Sequence, residues 1–498
     1  MNKLIFSMAM FACQMGVKAQ DLSVGMEACI DVAYNLNYNR YMCQYVEGTA
    51  DTYHQILPCT ALFPNDNGFR FVDPVSFAMY GEGTEGARQM QMWEMHIDES
   101  KVYSKWLYAD VYGCTLQDDG STVQDGEPVT TVSGGTDNSF IRNRMQYLFL
   151  NSMVTESYKP GKRYYKTRGN NFVRIEDGGM TVSGPWQDAL GKSIAVKSEV
   201  MHRDACPVKE LGEPLNFTYK NVATTLSEHA EFSEFLGLLK VCALSRSNYK
   251  DRWQAADQRY GNMFVLKNKG AVGAEDITQK TKAVYLLGDY NYTLYVPTNE
   301  AMQQAYAMGL PTLKDLEEAE AYDDENDLDA SVDTESHAAQ ILEVMLDFVR
   351  YHIQDHAVFV DEGFESGSYR SGKQMHYANA AGNDAVGVPF PLNVKVSANG
   401  LSVTDCRNGY DKGSGWTGNT ANVVTTKGLY NLMANEIWVA SSTRIRNPYT
   451  CNIVTAPFVV VHAIDAPLIY SDGKHNGADG TMLPTQFEYH YYNNSSEQ

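Results

Sequence analysis

The sequence predicts an α+β fold built twice, with β-sandwich character in each copy. Three observations carry the prediction. Three pairs of segments repeat in the same order along the chain. Strand pairs, amphipathic helices and Gly/Asn-rich turns interleave without the strict alternation that a doubly wound parallel sheet needs. The 498 residues, 44% hydrophobic and 20% charged with 16 prolines, have the composition of a globular chain long enough for more than one core.

Residues 1–19 have the layout of a signal peptide: Lys3, an apolar stretch from Leu4 to Val17, and Ala19 ahead of Gln20. A second reading makes Met10-Phe11-Ala12-Cys13 a lipoprotein box with Cys13 as the lipidation site. No later run reaches the roughly 18 apolar residues of a spanning helix, so no transmembrane segment is expected. The expected location is the cell envelope, at an outer-membrane surface or in the periplasm, or the extracellular space. Without the leader, eight of the nine cysteines remain. An even count in an exported chain permits disulfides, and buried thiols with one or two bridges stand beside a full framework. No Cys-x-x-Cys occurs, which disfavours a zinc ribbon or redox dithiol.

The first copy is expected over residues 20–212 and the second over 213–470, with a polar, Tyr-rich tail from 471 to 498. Thr60–Phe69 aligns without gaps to Thr293–Met302, each an apolar strand broken at a proline. Val173–Ser183 aligns to Val394–Thr404, two alternating strands around a Gly-containing turn. Val200–Val208 aligns to Val460–Leu468. The offsets are 233 from Pro64 to Pro297, 221 from Val173 to Val394 and 260 from His202 to His462. Drifting offsets in a fixed order mean two copies of one domain with different insertions.

Gly212-Glu-Pro-Leu is the expected joint. Thr224-Thr225-Leu-Ser-Glu228 reads as a capping box opening a helix, with Phe232, Phe235, Leu238 and Leu239 at helical spacing. A further helix is predicted from His337 to Tyr351, with Ile341, Val344, Met345 and Phe348 on one face. Asp315–Glu335 holds eleven acids and no base, about half of the chain's excess of 21, and reads as a solvated acidic insertion.

Forty basic against 61 acidic residues argue against nucleic acid as a partner, since phosphate binding needs a cationic footprint. Gly81-Glu-Gly-Thr-Glu-Gly86 fits a dinucleotide pattern, but its two glutamates would face a pyrophosphate, so it reads as a loop. His352 and His356 are four apart without the intervening Glu of a zinc-protease helix. The acidic run lacks the Gly and the twelfth-position Glu of an EF-hand. There is no Gly-x-Ser-x-Gly elbow. No metal, cofactor or catalytic residue is therefore assigned, and the chain is read as a non-enzyme.

Three segments of the second copy resemble the signature blocks of the fasciclin-like domain family. Thr293-Leu-Tyr-Val-Pro-Thr-Asn-Glu-Ala-Met302 resembles the first block and Val459-Val-Val-His-Ala-Ile-Asp-Ala-Pro-Leu468 the second. Phe348-Val-Arg-Tyr-His-Ile353 resembles the Tyr-His segment between them. The first copy resembles the family only through the repeat: Asn151-Ser152 stand where the second copy has Tyr351-His352, and Asp204 lies one place earlier than Asp465. Leader, tandem arrangement and divergence together resemble exported proteins of Gram-negative gut bacteria.

The resemblance implies two fasciclin-like domains, each a seven-stranded β-sandwich wedge with a helical layer, and cell adhesion as the role. The partner would be a polysaccharide or a protein at the cell surface or matrix. An alternative is a carbohydrate-binding accessory of an outer-membrane glycan uptake system. Under adhesion, Tyr351 and His352 are the expected contact residues, with a core-closing pair as the competing reading. Thr293, Pro297, Thr298, Asn299, His462 and Asp465 are expected to hold the domain together. Strand alternation puts Val459, Val461 and Ala463 on one face and Val460, His462 and Ile464 on the other.

Overall fold

The computed structural model describes residues 60–64, 70–80, 90–97, 107–117, 122–134, 138–202, 206–217, 220–248, 266–268, 284–286, 291–330, 333, 335–374, 377–378, 384–385, 389–407, 410–411, 415–416, 418–435, 437–441 and 448–470. The expected leader with Cys13, the Gly81–Gly86 segment, Asp204 and the residues after Tyr470 lie outside the described residues. The fold is α+β, and the chain divides into two compact units: Met1–Tyr219 with Ile437–Ala456, and Lys220–Glu436 with Pro457–Gln498.

In the first unit, seven strands form one sheet: β1 (Thr60–Pro64), β6 (Met153–Val154), β7 (Tyr164–Lys166), β8 (Phe172–Glu176), β9 (Thr181–Ser183), β10 (Ile194–His202) and β11 (Cys206–Leu211). Their order is β6-β1-β11-β10-β9-β8-β7. A bridge between Val154 and Thr167 ties the two ends of that order together. β1 is parallel to β11 and buried on both faces, as its unbroken Ala61-Leu62-Phe63 run requires. Leu62, Tyr165, Val173, Ile175, Val182, Ile194 and Leu211 fill the core.

Between β1 and helix α2 (Ser139–Asn151) this unit carries an insertion. It comprises helix α1 (Pro74–Tyr80) and a meander of β2 (Arg70–Val72), β3 (Gln91–Ile97), β4 (Leu107–Leu116) and β5 (Thr122–Val132), hydrogen-bonded in that order. Asn138 caps α2 by accepting from the N–H groups of Phe140 (2.9 Å) and Ile141 (3.2 Å). A short helix, α3 (Pro185–Ala189), follows β9.

The first unit is completed from far along the chain. Residues Ile437–Ala456, read in the sequence as part of the second copy, carry the hairpin β25 (Trp438–Ser441) and β26 (Cys451–Thr455). Arg144 of α2, 0% exposed, holds it: Nη1 donates to the Cys451 carbonyl (2.7 Å) and Nη2 to that of Pro448 (2.9 Å). The same guanidinium pairs with Asp73 (Nε to Oδ1, 2.8 Å) and lies 4.3 Å from the Trp93 ring centroid. Asn143 gives and takes one hydrogen bond each with the Ile453 backbone, at 2.9 and 2.7 Å. Ile437 is buried in the sheet core, with Val439, Ile453 and Ala456 against it. Apolar burial and a saturated guanidinium, rather than position in the sequence, decide which core the hairpin joins.

The second unit opens with α4 (Val222–Ser227) and α5 (Ser233–Asn248). Asn221 is the cap of α4, accepting from the Thr224 N–H at 2.8 Å, and Thr224 and Thr225 lie inside the helix. The expected capping box is thus corrected: Asn221 offers a carboxamide oxygen one turn earlier. Phe232, Phe235, Leu238 and Leu239 are all buried, as expected. Strand β14 (Asn291–Pro297) leads into α6 (Asn299–Ala307), α7 (Leu313–Glu325) and α8 (His337–Tyr351). Helix α8 matches the predicted bounds, with Ile341, Val344, Met345 and Phe348 buried.

The sheet is completed by β15 (Ile353–Asp355), β16 (Gly367–Gln374), β19 (Pro389–Ser397), β20 (Gly400–Thr404), β23 (Thr420–Asn422), β24 (Leu432–Asn435) and β27 (Phe458–Ile464). The order is β23-β20-β19-β16-β15-β14-β27-β24, and a Val423–Ile464 bridge ties the β23 end to β27, one strand in from the other end. Short hairpins β12–β13 (Leu266–Asn268, Val284–Leu286), β17–β18 (Tyr377–Ala378, Asp384–Ala385) and β21–β22 (Tyr410–Asp411, Gly415–Trp416) decorate it.

The two units share one strand plan. β1 and β14 occupy the same place, each parallel to the last sheet strand and antiparallel to the strand after the long helix. Pairing of Thr60 with Val154 and of Thr293 with Gln354 makes Asn151-Ser152 the counterpart of Tyr351-His352, as the sequence alignment had it. The third repeat pair needs correction. Pro64 pairs with Leu211 and Pro297 with Ile464, so β11, not β10, matches β27. His462 therefore corresponds to Lys209 rather than His202, and Asp465 to Gly212. The aligned segments share Val-x-His and a proline five residues on, a local likeness that the register overrides.

The acidic run is likewise not simply solvated. Much of it forms α7, which buries Leu316 and Ala319 in the helical core. Asp323, 4% exposed, accepts from Ser336 Oγ (2.6 Å) and the N–H groups of His337 (2.9 Å) and Ala338 (3.1 Å). It caps α8, where anionic charge meets unpaired N–H groups.

Candidate functional site

Tyr351 and His352 end α8 and are both 0% exposed. Tyr351 Oη donates to the Pro391 carbonyl and accepts from the Cys406 N–H, each at 3.1 Å. His352 Nδ1–H donates to the Phe348 carbonyl (2.8 Å), and Nε2 accepts from the Leu468 N–H (3.0 Å). These partners fix the neutral tautomer, and burial lowers the imidazole pKa to about 3. The expected adhesive contact at Tyr351 and His352 is overturned as a direct contact. Neither ring reaches solvent, because the helix must close the space beneath the sheet before the chain enters β15.

The second block is held in the same manner. His462 Nε2–H donates to the Val358 carbonyl (2.8 Å), and Nδ1 accepts from the Asn431 N–H (3.2 Å). Burial lowers its pKa to about 4. Val459, Val461 and Ala463 face the helical core, while Ile464 lies in the opposite core and His462 stacks with Tyr295. That division follows from strand alternation.

The first-block residues also act locally. Thr293 Oγ1 donates to the His356 carbonyl (2.9 Å) and accepts from the Val358 N–H (3.0 Å). Pro297 ends β14 opposite Ile464. Thr298 caps α6. Asn299 Nδ2 donates to the Ala230 carbonyl (3.0 Å) and Oδ1 accepts from the Glu234 N–H (3.1 Å), tying α6 to the start of α5. Asp465 accepts from the backbone and side-chain N–H groups of Asn422, at 2.7 and 3.0 Å.

The first unit replaces the lock with different chemistry. Asn151 Nδ2 donates to the Tyr147 carbonyl (2.9 Å), and Oδ1 accepts from Thr167 Oγ1 (2.8 Å) and Asn171 Nδ2 (2.9 Å). A Cβ at Gly169 would lie 2.1 Å from Asn151 Oδ1, so this close approach requires glycine.

Two features escaped sequence reasoning. Asp405, 0% exposed, gathers Arg407 (Nη2, 2.8 Å) and the N–H groups of Asn419 (2.8 Å) and Ile469 (3.0 Å), knitting the end of β20 to the segment after β27. The other is the outer face of the inserted meander, where Tyr108, Asp110 and Tyr112 project together from β4. Their period-two spacing was the available signal.

Among the described residues, no group of three or more His, Cys, Asp or Glu side chains could hold a metal ion. Cys114, Cys242, Cys406 and Cys451 are buried thiols outside any disulfide. Burial pushes the thiols of Cys114 and Cys242 up to about 12, which leaves them protonated and inert.

No family model and no curated protein matches the chain. Among solved structures it is similar to a FAS1 domain pair from the insect cell adhesion molecule fasciclin I. The identity is 12% over 67% of this chain and 83% of that one, with a TM-score of 0.20. A score that low fixes neither the fold nor the role.

Proposed function

We propose that the chain is a non-enzymatic, exported binding protein of the cell envelope, built on two fasciclin-like domains, that adheres to a polysaccharide or protein surface. One observation carries this reading: the two histidines of its signature blocks are consumed internally. A general base needs a nitrogen within reach of a substrate proton. Both nitrogens of His352, and both of His462, are instead occupied by backbone groups in the interior. The blocks build a scaffold, and recognition falls to its surface.

The second reading, a glycan-binding accessory of an uptake system, is favoured by the outer face of the first unit's inserted sheet, with its two tyrosines among carboxylates. The test is saturable binding of the purified mature chain to a mixed panel of polysaccharides and matrix proteins, alongside a turnover assay on the same glycans. Binding without turnover is expected. Hydrolysis abolished by a single carboxylate substitution would replace the binding reading with a catalytic one.

A further inference from the structure

The meander inserted between β1 and α2 has two unlike faces. Trp93, Met95, Ala109 and Val111 point inward and are buried. Met92, Glu94 and His96 of β3 share the other face with Tyr112, Asp110 and Tyr108 of β4, register sets them opposite one another in that order, and the Met92 end packs against the buried Val72, Phe77, Met90 and Cys114. All six are partly exposed. An antiparallel sheet with one wet face normally lines it with small polar and alternating charged residues, and like charges placed directly opposite destabilise the pair. Here Glu94 faces Asp110. The repulsion is offset locally: Arg70 Nη2 reaches Glu94 at 3.0 Å, and His96 Nε2 lies 3.2 Å from Asp110. Thr131 Oγ1 donates to Asp110 (2.6 Å), and Arg70 Nη1 reaches across to Gln124 (3.2 Å). The Tyr108 ring is steadied by a stack with His96, centroids 4.9 Å apart and planes at 23°. The Tyr112 hydroxyl bonds to Glu94.

We propose that this outer face binds a neutral polysaccharide, with Tyr108 and Tyr112 as stacking rings and Glu94 and Asp110 as acceptors for sugar hydroxyls. The inference rests on the binding reading above and adds a site and a ligand class to it. The two rings stand four residues apart on one strand, about 13 Å, with Asp110 midway between them. A run of several sugar units fits that spacing better than a single small molecule does. Partly exposed tyrosines offer large amphipathic contact area at low entropic cost. Glu94 is held by Arg70 and Asp110 by Thr131, and each keeps acceptor capacity for hydroxyl donors. Polyanionic glycans are excluded by charge: two carboxylates dominate the face, and the whole chain carries −21. A local rule broken on a partly exposed stretch, where relieving it would be simple, marks a surface kept for recognition rather than for stability.

The experiment is affinity electrophoresis and calorimetry of the full mature chain against neutral β-glucan, mannan and xylan, a sulfated polysaccharide and a set of matrix proteins. Wild type is compared with Tyr108→Ala, Tyr112→Ala, the ring-preserving Tyr112→Phe, and Glu94→Gln. Binding to one neutral glycan, weakened about tenfold by either Tyr→Ala change and retained in Tyr112→Phe at unchanged melting temperature, is the expected result. Glu94→Gln should weaken binding without loss of stability, since it also removes a like-charge pair. Glycan binding untouched by all four substitutions would overturn the site and leave the binding reading intact. Binding to matrix protein or sulfated glycan alone would overturn the ligand class, and binding to nothing would overturn both readings.

Discussion

His352 and His462 are neutral because burial makes the imidazolium costly and each unprotonated nitrogen accepts a backbone N–H. Their pKa values fall from 6.5 to about 3 and about 4, so at intermediate pH the unfolded chain binds protons that the folded chain refuses. Stability from this source is fully present above pH 6.5 and is lost as pH falls toward the folded values, by up to about 1.4 kcal/mol per pH unit for each histidine. Urea unfolding between pH 6.5 and 4 should therefore steepen with acid. A folded His462→Gln variant should lose about one proton's worth of that slope, and an unchanged slope would exclude His462 as a source. Burial of His462 was readable from alternation along Phe458–Ile464. Ligation was not, because the Asn431 and Leu468 donors come from separate turns that no local pattern announces.

Helix α8 was legible end to end, since its apolar residues recur at helical spacing over fifteen positions and Ser336 stands ready as its cap. What holds its start was not legible. Asp323 sits within a run of acids that looks alike residue by residue, yet it alone of α7's acids is buried and receives three donors from the start of α8. Asp323→Ala should lower stability by about 1–3 kcal/mol, with the first turn of α8 losing hydrogen-exchange protection. Glu317→Gln on the exposed face of α7 should change neither. Equal effects from both would mean that the charge of the run, and not the cap, matters. The Val394–Thr404 hairpin was also readable, whereas β10 and β11 were confused because a short likeness of residues does not record which neighbour a strand pairs with.

The strand plan of the two units is closely matched, and the repeat in the sequence was its visible trace. Where the sequence reading fell short was the division of the chain, because Ile437–Ala456 look like any strand pair until Arg144 and the first unit's core claim them. Residues 20–219 expressed alone should lack a cooperative unfolding transition. The same residues joined through a linker to 437–456 should regain one, followed by calorimetry. A fully cooperative 20–219 fragment would show the hairpin to be dispensable.

The hairpin also sets a clock. Ala456 is made 237 residues after Tyr219, which at about 5–20 residues per second amounts to roughly 12–50 s of synthesis. Through that interval the first unit has its own strands but not the carbonyls that Arg144 requires, so the part of the protein born first waits for residues made more than two hundred positions later. A chain cut short anywhere before residue 448 would leave both units incomplete. The chain thus carries, in one guanidinium, a check that residues 448–451 have been made.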